Sequence, residues 1–355
     1  MLALSTAVWA QSAQTQQPTQ QEPQHEVTAE ELMGPLTPEA APEPDVPATI
    51  PNQPGSTVDV PPPAAQGAEP EVRGREFIFR KNVEEVTLHA TVVDDRQRLI
   101  TTLDRNAFQV YEDGRPQEIK TFRREDIPVS LGILIDSSGS MRDKRPAVNA
   151  AALNLVRASN PQDEVFIVNF SDEYYLDQDF TSNLDLLKEG LEKIDSRGGT
   201  SLYDAVIASA DHLAKFGKKG KRILLVVTDG EDNASRTSLE AAIRRLQDEE
   251  GPTVYTITIL GEEKARRAKR AMQQLALNTG GIAFFPEGVG EVDRISQQIA
   301  RDIRNQYVIG YQPKRPRTDG GYRSVKVEAQ AKGYRRLQVR TRSGYFPGQE
   351  RAENR

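Results

Sequence analysis

The strongest constraint on this chain is a rhythm between Val129 and Ile303. Apolar or β-branched runs, Leu131-Gly132-Ile133-Leu134-Ile135, Val165–Phe170, Arg222–Thr228 and Val254–Leu260, alternate with helical stretches. The stretches at Leu184–Ile194, Tyr203–Phe216, Leu239–Asp248, Lys264–Leu277 and Val292–Ile303 follow helical spacing, as does Asp143–Ser159, and Ile282–Phe285 supplies a last short strand. A strand that is apolar without alternation must be covered on both faces. Helices on both sides of a sheet meet that demand, so residues 129–305 are expected to form an α/β domain with a doubly wound, mainly parallel sheet.

The flanks change period. In residues 75–125, Phe77-Ile78-Phe79, Val86–Val93 and Phe108–Tyr111 have strand character, with a helical turn expected at Leu103–Ala107. Asp113-Gly114 predicts a tight hairpin with Glu118–Phe122 returning, because glycine accepts positive φ. In residues 306–347, Tyr307–Tyr311, Ser324–Ala329 and Leu337–Arg340 alternate again. The two segments are expected to form one small all-β unit, a sheet or sandwich, with the α/β domain inserted into it, since the ends of inserted domains lie close together. Residues 348–355 read as a tail.

The remaining composition sets boundaries on function. Residues 11–73 hold 13 of the 22 prolines and are rich in Gln and Glu, so they are expected to be a disordered spacer. Residues 1–73 carry ten acidic side chains and one basic one, which leaves 42 acidic and 45 basic in the remainder. The acidity therefore belongs to the spacer. No block resembles a nucleic-acid arm, so no nucleic-acid partner is expected. The basic stretch 312–342 reads as a solvated strand face, with an anion or membrane contact as the alternative. Residues 1–10, MLALSTAVWA, look like the remnant of a signal peptide ending in Val8-Trp9-Ala10, which predicts an exported protein, periplasmic or extracellular. No other apolar run reaches the ~20 residues of a membrane span, so the mature chain is expected to lack one. With no cysteine and only His25, His89 and His212, thiolate sites and histidine-based zinc hydrolysis find little support.

Chemistry concentrates at one edge of the predicted sheet. In open α/β sheets ligands bind beyond the carboxyl ends of the strands. Asp136-Ser137-Ser138-Gly139-Ser140 follows the first such strand, with oxygen-bearing side chains at alternate positions. Gly198-Gly199-Thr200 and Thr228-Asp229-Gly230 belong to the same edge. Hydroxyls from Ser138, Ser140 and Thr200 and carboxylates from Asp136 and Asp229 suit a hard divalent cation, Mg2+ first, with Mn2+ or Ca2+ as alternatives. Such an ion keeps a position free, which the carboxylate of a partner protein would fill. Asp143, Glu231 and Asp232 are candidates for the rim of that contact. Helix capping and turn chemistry are the structural alternatives for each of these residues.

These three loops, in this order within an α/β alternation, resemble a von Willebrand factor A domain and its metal-ion-dependent adhesion site. The chain is also similar to the bacterial group of related proteins in its Phe108–Gly114, Tyr307–Tyr311 and Gly344-Tyr345 stretches, which extends the resemblance to residues 76–347. The resemblance implies a protein-binding module, for adhesion or assembly, and no enzyme. Two other readings stay open. One is a structural protein acting through the β unit, with the metal only stabilising the fold. The other is a metal-dependent hydrolase, which the absence of a second acid at Ser138 and of a neighbouring histidine disfavours.

Overall fold

The computed structural model describes residues 85–124, 126–193, 196–259 and 265–348. The expected signal remnant, spacer, Phe77–Phe79 strand and most of the tail lie outside them.

The described chain opens with β1 (Val86–Val93), β2 (Phe108–Glu112), β3 (Arg115–Gln117) and β4 (Ile119–Arg123). Asp113 and Gly114 make the tight turn with φ of 49° and 74°. The return strand differs from expectation. Only β3 pairs with β2, while β4 crosses to another sheet and pairs with a late strand. Pro116 explains the brevity, because proline cannot donate to a ladder and is confined to edges.

The α/β domain follows: β5 (Val129–Asp136), α1 (Arg145–Ala158), β6 (Glu164–Phe170), β7 (Tyr174–Thr181), α2 (Leu184–Glu192), α3 (Leu202–Phe216), β8 (Lys221–Thr228), α4 (Leu239–Leu246), β9 (Thr253–Thr258), α5 (Ala265–Thr279), β10 (Ala283–Phe284) and α6 (Val292–Arg304). The sheet order is β10-β9-β8-β5-β6-β7, parallel except for the edge strand β7. β7 was not expected as a strand: its burial pattern is irregular and Tyr174, Tyr175 and Leu176 are exposed.

The unbroken burial of β5 has the cause read from its sequence. Leu131, Ile133 and Ile135 pack with α1, α2 and α6 on one face, and Leu134 packs with α3, α4 and α5 on the other. Each such side chain contributes about 1.5–3 kcal/mol by leaving water. Gly132 is needed on the second face, where a Cβ would lie 2.4 Å from Phe166 Cζ.

The chain closes with β11 (Tyr307–Tyr311), β12 (Arg323–Ala329), β13 (Gln338–Arg340) and β14 (Gly344–Tyr345). Two antiparallel sheets result, ordered β13-β1-β11-β4 and β14-β12-β2-β3. They share a core that includes Leu88, Phe108, Val110, Ile309, Val325 and Val327, so the flanks form a sandwich. Its polar interior unites the sequence stretches singled out above. Tyr311 and Tyr345 hydroxyls both donate to Glu112 Oε2, at 2.6 and 2.9 Å, and the buried Arg323 guanidinium lies 3.6 Å from Glu112 Oε1.

The sandwich meets the α/β domain beside β9 and α6. Buried Asp302 on α6 accepts from Tyr255 Oη at 2.7 Å, from Arg340 Nη2 at 2.8 Å and from Thr91 Oγ1 at 3.3 Å. Arg342 donates to Asp248 O at 2.8 Å, in the loop that precedes β9. These contacts bind the sandwich to α6, to β9 and to the loop leading into β9, and leave the carboxyl edge to other uses. No helix among the described residues is long and apolar enough to cross a membrane.

Candidate functional site

At the carboxyl edge, β5 ends on Asp136, which is fully buried. Its Oδ1 accepts from the Ser138 N–H at 2.8 Å and its Oδ2 from Thr228 Oγ1 at 2.6 Å. Burial raises the Asp136 pKa above the usual carboxylate value, against the hydrogen bonds from Thr228 and Ser138 that lower it. A buried carboxylate gains most from a positive neighbour.

Extended backbone at Ser138 leads into a single helical turn at Gly139–Met141, which brings Ser138 Oγ and Ser140 Oγ to 3.3 Å from each other. Ser140 Oγ donates to Asp229 Oδ1 at 2.8 Å, joining the loops after β5 and β8. Asp229 Oδ2 takes the Lys144 ammonium. Three of the five expected ligand residues are thus linked oxygen to oxygen, and Asp136 joins them through Ser138.

Thr200 is buried and is held at the same edge by its backbone. Its N–H donates to Asn233 Oδ1 at 2.9 Å, and its carbonyl accepts from the Asn233 N–H at 3.0 Å. The Arg197 N–H donates to Ser137 O at 2.8 Å, tying this loop to the one after β5. Gly198 has φ of 77°, and a Cβ there would lie 2.2 Å from Asp172 Oδ2; one on Gly199 would lie 2.6 Å from Asn233 Oδ1. The paired glycines let the loop sink between Asp172 and Asn233, whose carbonyl and carboxylate oxygens receive its N–H groups.

Capping does not account for Thr200 or Asp229. The first N–H groups of α3 go to Asp232 Oδ2, from Tyr203, and to Ser235 Oγ, from Asp204. The N-cap of α4 is Ser238. Asp232 thus turns inward to the start of α3. Glu231 is half-buried and Asp143 exposed, and among the described residues neither carboxylate has a hydrogen-bond or ion-pair partner. Sequence reasoning missed Asp172, Thr228 and Asn233 as supports, and it missed the contact of the Lys144 ammonium with Asp229.

The described histidines, His89 on β1 and His212 on α3, stand apart from these serines. His212 stacks on Phe180 with ring centroids 5.2 Å apart and bonds to Asp179 Oδ1 at 2.9 Å. Ser137 Oγ lies within donating distance of Phe170 O and Asn169 Oδ1, each at 3.1 Å.

A family model described as von Willebrand factor type A domain matches residues 131–231, from within β5 through the Asp229 loop. The chain carries a von Willebrand factor type A domain. A search of curated proteins finds no match. Solved structures similar to the chain include proximal thread matrix protein 1 from the mussel byssus, at 19% identity and a TM-score of 0.42, covering 50% of this chain and 49% of that one. The chain thus spans about half of that relative's length. A von Willebrand factor type A protein from Catenulispora acidiphila matches at 13% identity and a TM-score of 0.45, covering 77% of this chain and 76% of that one. The vWF domain of the type V pili tip protein Mfa5 from Porphyromonas gingivalis matches at 13% identity and a TM-score of 0.41, covering 50% of this chain and 97% of that one.

Proposed function

We propose that the type A domain holds a divalent cation on Asp136, Ser138, Ser140, Thr200 and Asp229 and binds a partner protein through it. The observation that carries this reading is the oxygen chain Ser138 Oγ, Ser140 Oγ, Asp229 Oδ1, with contacts of 3.3 and 2.8 Å, beside the buried Asp136. Hydroxyl and carboxylate oxygens in that proportion suit a hard ion, Mg2+ before Mn2+ or Ca2+. The ammonium of Lys144 against Asp229 is a second sign that the place attracts positive charge. When bound, the ion would supply a positively charged coordination point for a carboxylate of the partner. The chain's own residues orient that point: Thr228 and the Ser138 N–H fix Asp136, and Asn233 fixes Thr200. Glu231 and Asp143 would flank the partner. We place the module in an exported setting, on the strength of the apolar run Met1–Ala10.

The test is capture of partners from exported proteins by the full chain, with Mg2+ and with EDTA. Capture should require the cation and be lost in a Ser138→Ala, Asp229→Ala double variant that keeps its circular dichroism spectrum. A second reading, with the ion only stabilising the fold, draws on Asp136 already having partners for both oxygens. It predicts that the double variant still captures the partner but melts lower.

A further inference from the structure

Asp229 is a nearly buried carboxylate, with 2% of its side chain exposed. A carboxylate so placed requires hydrogen bonds and a positive partner. Ser140 Oγ supplies the first, to Oδ1, and the Lys144 ammonium supplies the second, to Oδ2. The same ammonium donates to the Ser140 carbonyl at 3.3 Å. Lys144 therefore rests on two of the residues assigned above to the cation.

Its location is otherwise unfavourable for a lysine. Lys144 is the N-cap residue of α1, and its side chain makes no capping bond. The start of a helix carries partial positive charge, so a cation there is repelled where an anion would be welcomed. Arg145 follows at once and is itself buried, which adds like charge. Lys144 keeps 29% of its side chain exposed, so its flexible stem has room to swing the ammonium into solvent. Its contacts with Asp229 and the Ser140 carbonyl are what hold it inward.

We propose that Lys144 is a tethered counter-cation that competes with the divalent ion for Asp229, and so sets the concentration of ion at which the site loads. The proposal rests on the cation reading above. A dication and an ammonium cannot share the Asp229 carboxylate without mutual repulsion, so loading must release Lys144 to solvent. Lys144 is thus a residue that tunes the site, and no ligand of the ion.

The experiment is isothermal titration of the full chain, stripped with EDTA and dialysed, with MgCl2 and separately with MnCl2. Wild type is compared with Lys144→Gln, Lys144→Met and Lys144→Arg. The neutral variants should bind Mg2+ about ten-fold more tightly, equivalent to ~1.4 kcal/mol. Lys144→Arg should stay near wild type. In EDTA the neutral variants should melt lower than wild type, because Asp229 has lost its counter-charge, and they should gain more on adding Mg2+. Unchanged or weaker binding by both neutral variants, with wild type still binding, overturns this inference and leaves the cation site standing. No binding by any of the proteins removes the cation reading and this inference together. Two neutral substitutions of different polarity keep the result readable if one of them fails to fold.

Discussion

The buried cluster of the sandwich allows a quantitative test. Substituting Glu112 by Gln keeps the side-chain shape and removes its charge. Glu112 Oε2 now accepts from Tyr311 and Tyr345, and Oε1 faces Arg323. A Gln oxygen can keep both tyrosine bonds only by turning its amide N–H groups toward the guanidinium, donor against donor. Arg323, with none of its side chain exposed, then loses its counter-charge. Removing one partner of a buried pair costs about 3–5 kcal/mol. The lower end applies here, because Arg323 keeps its bond to Arg315 O at 2.9 Å and its bond to Pro316 O. Tyr311→Phe removes only one bond to an ionised acceptor, worth about 1.5–3 kcal/mol. At roughly 2–4 °C per kcal/mol for a domain of this size, the Glu112→Gln melting temperature should fall by about 6–12 °C. Scanning calorimetry with Tyr311→Phe, Glu112→Gln and the double variant measures both costs and their coupling. The double variant should cost less than the sum, since the singles share one network. A Glu112→Gln shift below about 2 °C, or strict additivity, would refute the argument.

Three further outcomes are expected. His89 has its pKa pushed down to about 3, first by burial and then by Lys221 and Arg342. Below pH 6.5 the unfolded chain takes up a proton that the folded chain refuses, so stability is lost as pH falls through that window. By linkage, wild type should lose about 2 kcal/mol more than His89→Gln between pH 7 and pH 5, read from urea midpoints, and parallel curves would count against it. Gly132→Ala drives a methyl to 2.4 Å from Phe166 Cζ and 2.7 Å from Leu224 Cδ2. It should cost about 1–3 kcal/mol by overpacking; an unshifted denaturation midpoint would mean that the Phe166 ring moves freely. Asn233→Ala leaves the Thr200 N–H without its side-chain acceptor. Mg2+ affinity by titration calorimetry should drop several-fold, and an unchanged value would exclude Thr200 from the site.

The sequence disclosed what depends on local pattern. The unbroken apolar run of β5 announced a strand covered on both faces, and the oxygen-bearing loops announced themselves at its end and that of β8. Long-range consequences stayed hidden. Asp172 and Asn233 reach the glycine loop across 27 and 33 residues, and nothing in their neighbourhoods marks them for that use. β7 escaped notice because an exposed edge strand need not alternate. The hairpin after β2 was misjudged because Pro116 limits β3 and sends the chain into the other sheet at β4. The role of Lys144 was not legible, since only the fold brings Asp229 to it.

The crossing of the sandwich by the inserted domain bears on how the chain folds. Val86 pairs with Tyr311 and Glu112 with Val325, so each of these ladders closes around the whole insert. Contacts so distant in sequence form slowly from an open chain. A folded insert shortens that search, because its entry and exit are neighbours: Arg123 pairs with Val308, and Arg304 Nε donates to Asp126 Oδ2 at 2.8 Å. The α/β part can therefore mature while β11 to β14 are still being synthesised, and the sandwich zips last. Substitutions at Tyr311 or Tyr345 should then quicken unfolding and leave the folding rate nearly unchanged, as expected for contacts made after the transition state.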